Sequence, residues 1–189
     1  SLSVESDRAF VLQPGGGAML NMGVYFMTAL VSLLGPIRWV TGMTGTSFPE
    51  RVLADGPGEG RTIPVTVPTH TIGAMELVSG ASASVIASTD VIAGEVPPIL
   101  VYGTEGTLRA PHPNGFGGAV HILGETGEDW EEATLTHGYA GTYRGLGVAD
   151  LAQAIVTGGP HRASGELAYH VLDAMLAFED SARLRTQVE

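Results

Sequence analysis

The longest apolar stretch of the chain is Pro14–Pro36, PGGGAMLNMGVYFMTALVSLLGP. Its residues sort into stripes at helical spacing. Leu20, Val24, Met27, Val31 and Leu34 fall on one face, Met22, Phe26, Ala29 and Leu33 on a second. Asn21, Tyr25, Thr28 and Ser32 form a polar third. The spacing predicts one buried helix, ended by Gly35 as the residue after the last turn and by Pro36, which cannot continue a helix. A helix apolar on two faces is expected to be buried, so its polar stripe needs partners or a pocket. Asn21 and Tyr25 are four residues apart, which places them one above the other on that stripe.

Period-two and turn signals follow. Ile37–Thr46 alternates loosely and predicts a strand. Ser47–Gly60 reads as a loop, and Thr62–Val67, interrupted by Pro64 and Pro68, as an edge strand. Thr69–Ser79 and Ala81–Ala93 predict a hairpin around Gly80. In its second strand Ala83, Val85, Ala87 and Val91 point to the core, and Ser82, Ser84, Ser88 and Asp90 point away together with Ile86. Gly73 inside the first strand predicts a bulge or a close approach. Ile99–Tyr102 with Thr107–Ala110, and Val120–Leu123 with Trp130–Leu135, predict two more hairpins. Phe10–Leu12 reads as a short segment able to pair with a sheet.

Helical spacing returns at the end of the chain. Val148, Leu151, Ala152 and Ile155 predict the apolar face of a helix stopped by Gly158-Gly159-Pro160. Ser164 is placed to cap a long last helix whose apolar face runs Leu167, Val171, Leu172, Met175, Leu176. A helix, about seven strands and two helices predict an α+β fold: an open-faced, mostly antiparallel β-sheet with helices packed on one face.

Composition narrows the function classes. The chain has 189 residues, 44% of them apolar, enough for a substantial core. Mean hydropathy is +0.20. The nine basic residues are all arginine, and twenty acidic residues bring the net charge to −11. That balance argues against nucleic acid and anionic membranes as partners. It favours a cytoplasmic protein. With no cysteine, thiolate catalysis and disulfides are excluded from the chain; with no lysine, so are a Schiff base and a Walker A site. The run Ala18–Leu34 is slightly short of the roughly 20 residues of a membrane span. The polar start Ser1–Arg8 shows no signal peptide.

Few residues offer chemistry by themselves. Gly15–Gly17 is no dinucleotide fingerprint, because Leu20 stands where the last glycine is needed; Val120 spoils the frame from Gly115 in the same way. Without a nucleotide fingerprint, the run reads as a flexible helix entry or as a place where a flat ligand approaches backbone. A phenol ordinarily titrates near 10, so Tyr25 can carry a proton only beside a cation that lowers that value; otherwise it is a buried tyrosine satisfied by a neighbour such as Asn21. The six histidines show no metal-ligand spacing, and Glu166 with His170 at i,i+4 reads as a solvated face or a partial ligand pair. No metal site is expected. Arg144 and Arg162 flank helix starts and suit either an anionic group or surface ion pairs. Glu128, Asp129, Glu131 and Glu132 read as a solvating acidic turn.

Several of these stretches together resemble the C-terminal domain of Gfo/Idh/MocA-type NAD(P)-dependent oxidoreductases. PGGGAMLNMGVYFMTALVSLLGP is similar to that family's GGG-x-L-x-D-x-G-x-(H/Y) helix, with Met19 at the leucine position. VPTHTIGAMELVSGASASVIASTDV resembles its central strand pair, VYGTEGTLRAPHPNGFGG its Y-G-T-E-G-x-L hairpin, and RGLGVADLAQAIVTGGPHRASGELAYHVLDAM its closing helices. The resemblance implies a dihydrodipicolinate reductase-like C-terminal domain over 14–189. Residues 1–13 would lead in from a missing N-terminal Rossmann domain. That domain would hold the glycine fingerprint and a catalytic lysine in a Glu-Lys-Pro motif.

Carried over by position, Tyr25 falls at the catalytic His/Tyr, as in the branch with glucose–fructose oxidoreductase and dihydrodiol dehydrogenase. Asn21 falls where most members have Asp; it can hydrogen-bond a substrate hydroxyl but cannot accept a proton. The resemblance implies Asn21, Arg144 and His161 as substrate-binding candidates, and Gly15, Gly16, Gly17 and Gly23 as facing the cofactor. The implied cofactor is NAD or NADP, bound mainly by the missing domain. The implied activity is hydride transfer on a sugar, polyol or related hydroxy compound, with the fragment alone inactive. The implied partners are a sugar-like small molecule and further copies of the chain, as a homodimer or homotetramer through the open sheet face. The Asn21 departure leaves open a non-catalytic binding or assembly module, and an NAD-dependent glycosidase is a minority activity of the family.

Overall fold

The computed structural model describes residues 3–136, 138–139, 141 and 143–189. They form two compact units. Residues 1–93 and 165–189 make the first, and residues 94–164 the second. Residues 3–12 pack into the first unit: β1 (Ser3–Val4) pairs parallel to β3 (Glu50–Leu53), and a 3-10 helix over Ser6–Leu12 buries Val11 and Leu12. Phe10–Leu12 is thus helical, not a pairing strand.

The first unit is built on an antiparallel sheet in the order β2 (Ile37–Gly45), β5 (His70–Leu77), β6 (Ser82–Ser88). The hairpin expected around Gly80 joins β5 and β6. A smaller sheet has the order β1, β3, β4, where β4 (Thr62–Pro64) is the expected edge strand. β3 lies in the stretch read as a loop; at four residues it is too short to show a period. Among the described residues only the β1–β3 pair is parallel. The open, mostly antiparallel architecture with helices on one sheet face is therefore present, divided into separate sheets.

α1 (Val24–Leu34) and α3 (Gly165–Leu184) cover the β2–β5–β6 sheet, with α3 packed on β2 and α1 against α3. The core holds Met27 and Val31 of α1, Val40, Met75 and Leu77 of the sheet, and Val171, Ala174, Met175 and Phe178 of α3. The stripe Leu20, Val24, Met27, Val31, Leu34 all joins this core, as its spacing predicts. The second stripe does not: Met22, Phe26 and Ala29 are only half-buried and Leu33 is exposed. The helix buries the one face that joins the core shared with α3 and the sheet. On α3 the buried line is rotated from the expected one. Leu172 and Leu176 are exposed, while Ala174, Phe178 and Ser181 are buried.

Phe178 explains the glycine inside β5. Gly73 pairs with Gly42 across β2 and β5 with no break in register, so there is no bulge there. A Cβ on Gly42 would lie 2.9 Å from the Phe178 ring, and one on Gly73 only 2.5 Å from it. The two glycines open the sheet where the ring, fully buried, seats against backbone. Gly73 thus marks a close approach. The register shift in this pair falls instead between Ile37 and Trp39.

The second unit carries an antiparallel sheet in the order β10 (Glu131–Glu132), β9 (His121–Gly124), β8 (Gly106–Ala110), β7 (Ile99–Gly103), the two expected hairpins in register. Arg109 lies over the Trp130 ring, 4.2 Å from its centroid. α2 (Leu146–Thr157) ends as expected at Gly158, whose φ of +68° suits a residue without a side chain. Its expected apolar face does not form a core. Val148, Leu151 and Ile155 are exposed, and Ala154 is the residue of α2 that is buried. No helix among the described residues is long and apolar enough to cross a membrane.

Candidate functional site

The continuous helix expected from Ala18 is broken into two kinds of turn. Met19–Gly23 is a π turn, and regular α-helix begins only at Val24. A π turn holds one residue more per turn, so it re-aims the side chains before it relative to those after it, and such turns occur often at functional sites. Asn21 sits in the π turn and is exposed; Tyr25 is the second residue of α1 and half-buried. Among the described residues no hydrogen bond joins the two. The expected stacking at i,i+4 assumes α-helical twist at both positions, and the π turn removes it at Asn21.

The glycines before this turn have identifiable local reasons. Gly17 has φ of +92° and donates to the carbonyl of Val11 at 2.6 Å, while its own carbonyl accepts from Asn21 N–H at 3.1 Å. A Cβ on Gly16 would lie 2.5 Å from the Val11 oxygen. On Gly17 it would lie 3.1 Å from the Pro68 oxygen, and on Gly23 it would lie 2.6 Å from the Met19 sulfur. Gly15, at φ +88°, is the one of the four facing open space. The surface that a missing side chain exposes is thus used up by the chain itself at Gly16, Gly17 and Gly23.

The strap Thr66–Thr69 supports the glycine turn. Thr66 N–H donates to the Leu12 carbonyl at 3.0 Å, and Gln13 Nε2 to the Pro64 carbonyl at 2.8 Å. The strap is held in turn by Asp90. This residue was expected on the polar face of β6; the strand ends at Ser88, and Asp90 turns inward. Its Oδ1 accepts from Arg51 Nη2 at 2.5 Å, and its Oδ2 from Thr69 Oγ1 at 2.7 Å and Ser47 N–H at 3.3 Å. The side chains of Arg51 and Asp90 are 3% and 8% exposed. Burial acts to raise the Asp90 pKa, but the hydrogen bonds from Thr69, Ser47 and Arg51 outweigh it and hold the carboxyl below its ordinary value. Arg51 also lies 4.7 Å from the Phe48 ring centroid, and its Nη1 is buried without a partner. Sequence reading missed both residues. Arg51 stood in an apparent loop, and Asp90 in the polar half of an alternating strand.

The other candidates fall in the second unit. Arg144 stands over the Phe116 ring at 5.9 Å, and His161 follows α2 in a loop. Arg162 forms a surface ion pair, with Nη1 3.0 Å from Asp150 Oδ1. A shallow cavity of about 410 Å³ in this unit is lined by residues including His112, Phe116 and Thr134. It includes neither Arg144 nor His161. His170 is half-buried, and its Nε2 accepts from Ile37 N–H at 2.9 Å, tying α3 to the start of β2. Among the described residues no three His, Asp or Glu side chains converge to hold a metal.

The sequence matches a family model, the GFO/IDH/MocA C-terminal domain, over residues 4–109. The chain belongs to this family. Among solved structures, levoglucosan dehydrogenase in its apo form is 22% identical with a TM-score of 0.80, over 100% of this chain and 55% of that one. The same enzyme in complex with NADH and levoglucosan is 21% identical with a TM-score of 0.73, over 97% of this chain and 54% of that one. An NAD binding oxidoreductase from Klebsiella pneumoniae is 22% identical with a TM-score of 0.74, over 98% and 54%. These likenesses show the fold. The chain spans about half the length of these structures, and the described residues form no Rossmann unit. No curated protein matches the chain.

Proposed function

We propose that this chain is the substrate-side domain of an NAD(P)-dependent oxidoreductase acting on a sugar, polyol or related hydroxy compound, with Tyr25 as the residue that exchanges the hydroxyl proton. The observation that carries this reading is the family's helix motif ending on Tyr25 in a family whose solved relatives include a sugar dehydrogenase. The glycines of this chain offer no dinucleotide cradle, so the cofactor belongs to the half of the relatives' length that this chain does not span. A nicotinamide, when bound, accepts or delivers the hydride. The chain's own part is to present a phenol and an amide to the substrate: Asn21 hydrogen-bonds a hydroxyl but takes up no proton, and Tyr25 is the titratable member of the pair. Arg144 and His161 remain substrate-binding candidates from the second unit.

In the full-length protein Tyr25→Phe is expected to lower turnover by at least about 100-fold, the usual scale of a lost acid–base group, with NAD(P) binding unchanged. Turnover near wild type would remove Tyr25 from the mechanism. The amide at position 21 favours a second reading, a binding module of the same fold without catalysis. Restoring the family's carboxylate with Asn21→Asp is the arm that separates the two, since a module without chemistry gains no turnover from it.

The chain is further proposed to pair with a second copy through the open face of the β2–β5–β6 sheet. Met43, Ile72 and Ile86 are register partners across the three strands and all are exposed on that face. An exposed apolar row of this kind marks an interaction surface. Ile86→Asp is expected to convert a dimer to a monomer in sedimentation velocity; an unchanged dimer places the interface elsewhere.

A further inference from the structure

The contacts around Asp90 lead from a buried ion pair to the start of the helix that carries Tyr25. Asp90 binds Thr69 through Oδ2, and Thr69 is fully buried. Thr69 N–H donates to the Gly45 carbonyl at 3.0 Å, and its carbonyl accepts from Thr89 N–H at 2.9 Å. That end of the strap is therefore fixed to β2, to the segment after β6 and to Asp90 at once. One residue earlier, the Pro68 carbonyl lies close beside Gly17, where an added Cβ would stand 3.1 Å from its oxygen. Three residues earlier, Thr66 holds the Leu12 carbonyl with both its N–H and its hydroxyl, the latter at 3.3 Å. The Gly17 carbonyl in turn accepts from Asn21 N–H inside the π turn.

We propose that Asp90 is a positioning residue for Tyr25: through Thr69 it fixes the strap on which the Gly15–Gly17 turn rests, and that turn sets where the helix bearing Tyr25 begins. The chemistry requires such a support. A proton donor must be held within hydrogen-bond reach of the group it serves. The turn that aims it is a π turn, less regular than the α-helix it feeds. The turn's own glycines lack side chains with which to anchor it. The anchor is a carboxylate whose bonds are charge-assisted and removed from solvent, which makes them strong and hard to break. The hydrogen bonds from Thr69, Ser47 and Arg51 together hold that carboxyl below its ordinary value, and the Arg51 guanidinium lies over the Phe48 ring. The inference deepens the assignment of Tyr25 and rests on it.

The test uses amide hydrogen exchange and the ¹³Cζ resonance of Tyr25, assigned by its loss in Tyr25→Phe. Thr69→Val keeps the Arg51–Asp90 pair and removes the hydroxyl that joins it to the strap. Exchange at Gly17 and Asn21 is expected to speed up by at least about tenfold, the scale of one lost bond to a charged group, with the Tyr25 resonance shifted. The α3 amides from Val171 to Phe178 keep their protection. Thr69→Ser, which retains the hydroxyl, restores both signals. Acceleration spread equally over α3, or no change at Gly17 and Asn21, overturns the proposal. If Thr69→Val does not fold, Thr66→Val makes the same comparison from the other end of the strap, where the lost bond is partly exposed. No change at Gly17 and Asn21 in that variant shows that the strap does not support the turn, and the proposal fails. A failure of the Tyr25 assignment itself is seen separately, as turnover retained in full-length Tyr25→Phe while the exchange results stand.

Discussion

α2 and α3 carry the same signal in sequence and have opposite fates. Each shows apolar residues at i, i+3, i+4 and i+7 and a clear stop or start. α3 buries Val171, Ala174, Met175 and Phe178 against β2 and α1. α2 buries Ala154 and leaves Val148, Leu151 and Ile155 exposed. Periodicity records that a helix has an apolar face. It does not record which surface meets that face, because the partner lies elsewhere in the chain or outside it. In α3 the partner also changed the face: the gap at Gly42 and Gly73 admits Phe178, and the buried line turns away from Leu172 and Leu176 to follow it.

Truncating the residue that sets this rotation is the strongest way to break the contrast. Phe178→Ala leaves a cavity against two glycine backbones that cannot collapse onto it. It is expected to cost about 3–5 kcal/mol in urea unfolding of the chain. A loss below about 1 kcal/mol would mean that α3 is held mainly by Met175 and Val171. The smallest effect is expected on the other helix. Ile155→Ser, at a position 73% exposed, should change stability by no more than about 0.5 kcal/mol. A cost near that of a core residue would show that the face of α2 is covered in solution and that the contrast with α3 is false.

The candidate site repeats the lesson at finer scale. The stripe from Leu20 to Leu34 is core as its spacing predicts. The π turn at Met19–Gly23 was not legible, since one extra residue in a turn leaves no composition mark. The glycines at 15–17 were visible as a break, but their reason was not. Gly16 and Gly17 answer to Val11 and Pro68, the latter some fifty residues away in sequence. Asp90 is the clearest case. Alternation assigned it to solvent, whereas the strand ends two residues before it and the carboxylate turns in to meet Arg51 and Thr69.

The sequence by itself determined the main helices, the hairpins, the stops at Gly35 and Gly158 and the family motif that ends on Tyr25. These depend on backbone preference and local spacing, which act within a few residues. The tertiary structure decided which apolar faces are buried, where the Tyr25 helix begins and what holds it. Those depend on partners distant in sequence: a ring seated on paired glycines, a carbonyl close beside Gly17, and a buried carboxylate whose donors are Ser47, Arg51 and Thr69.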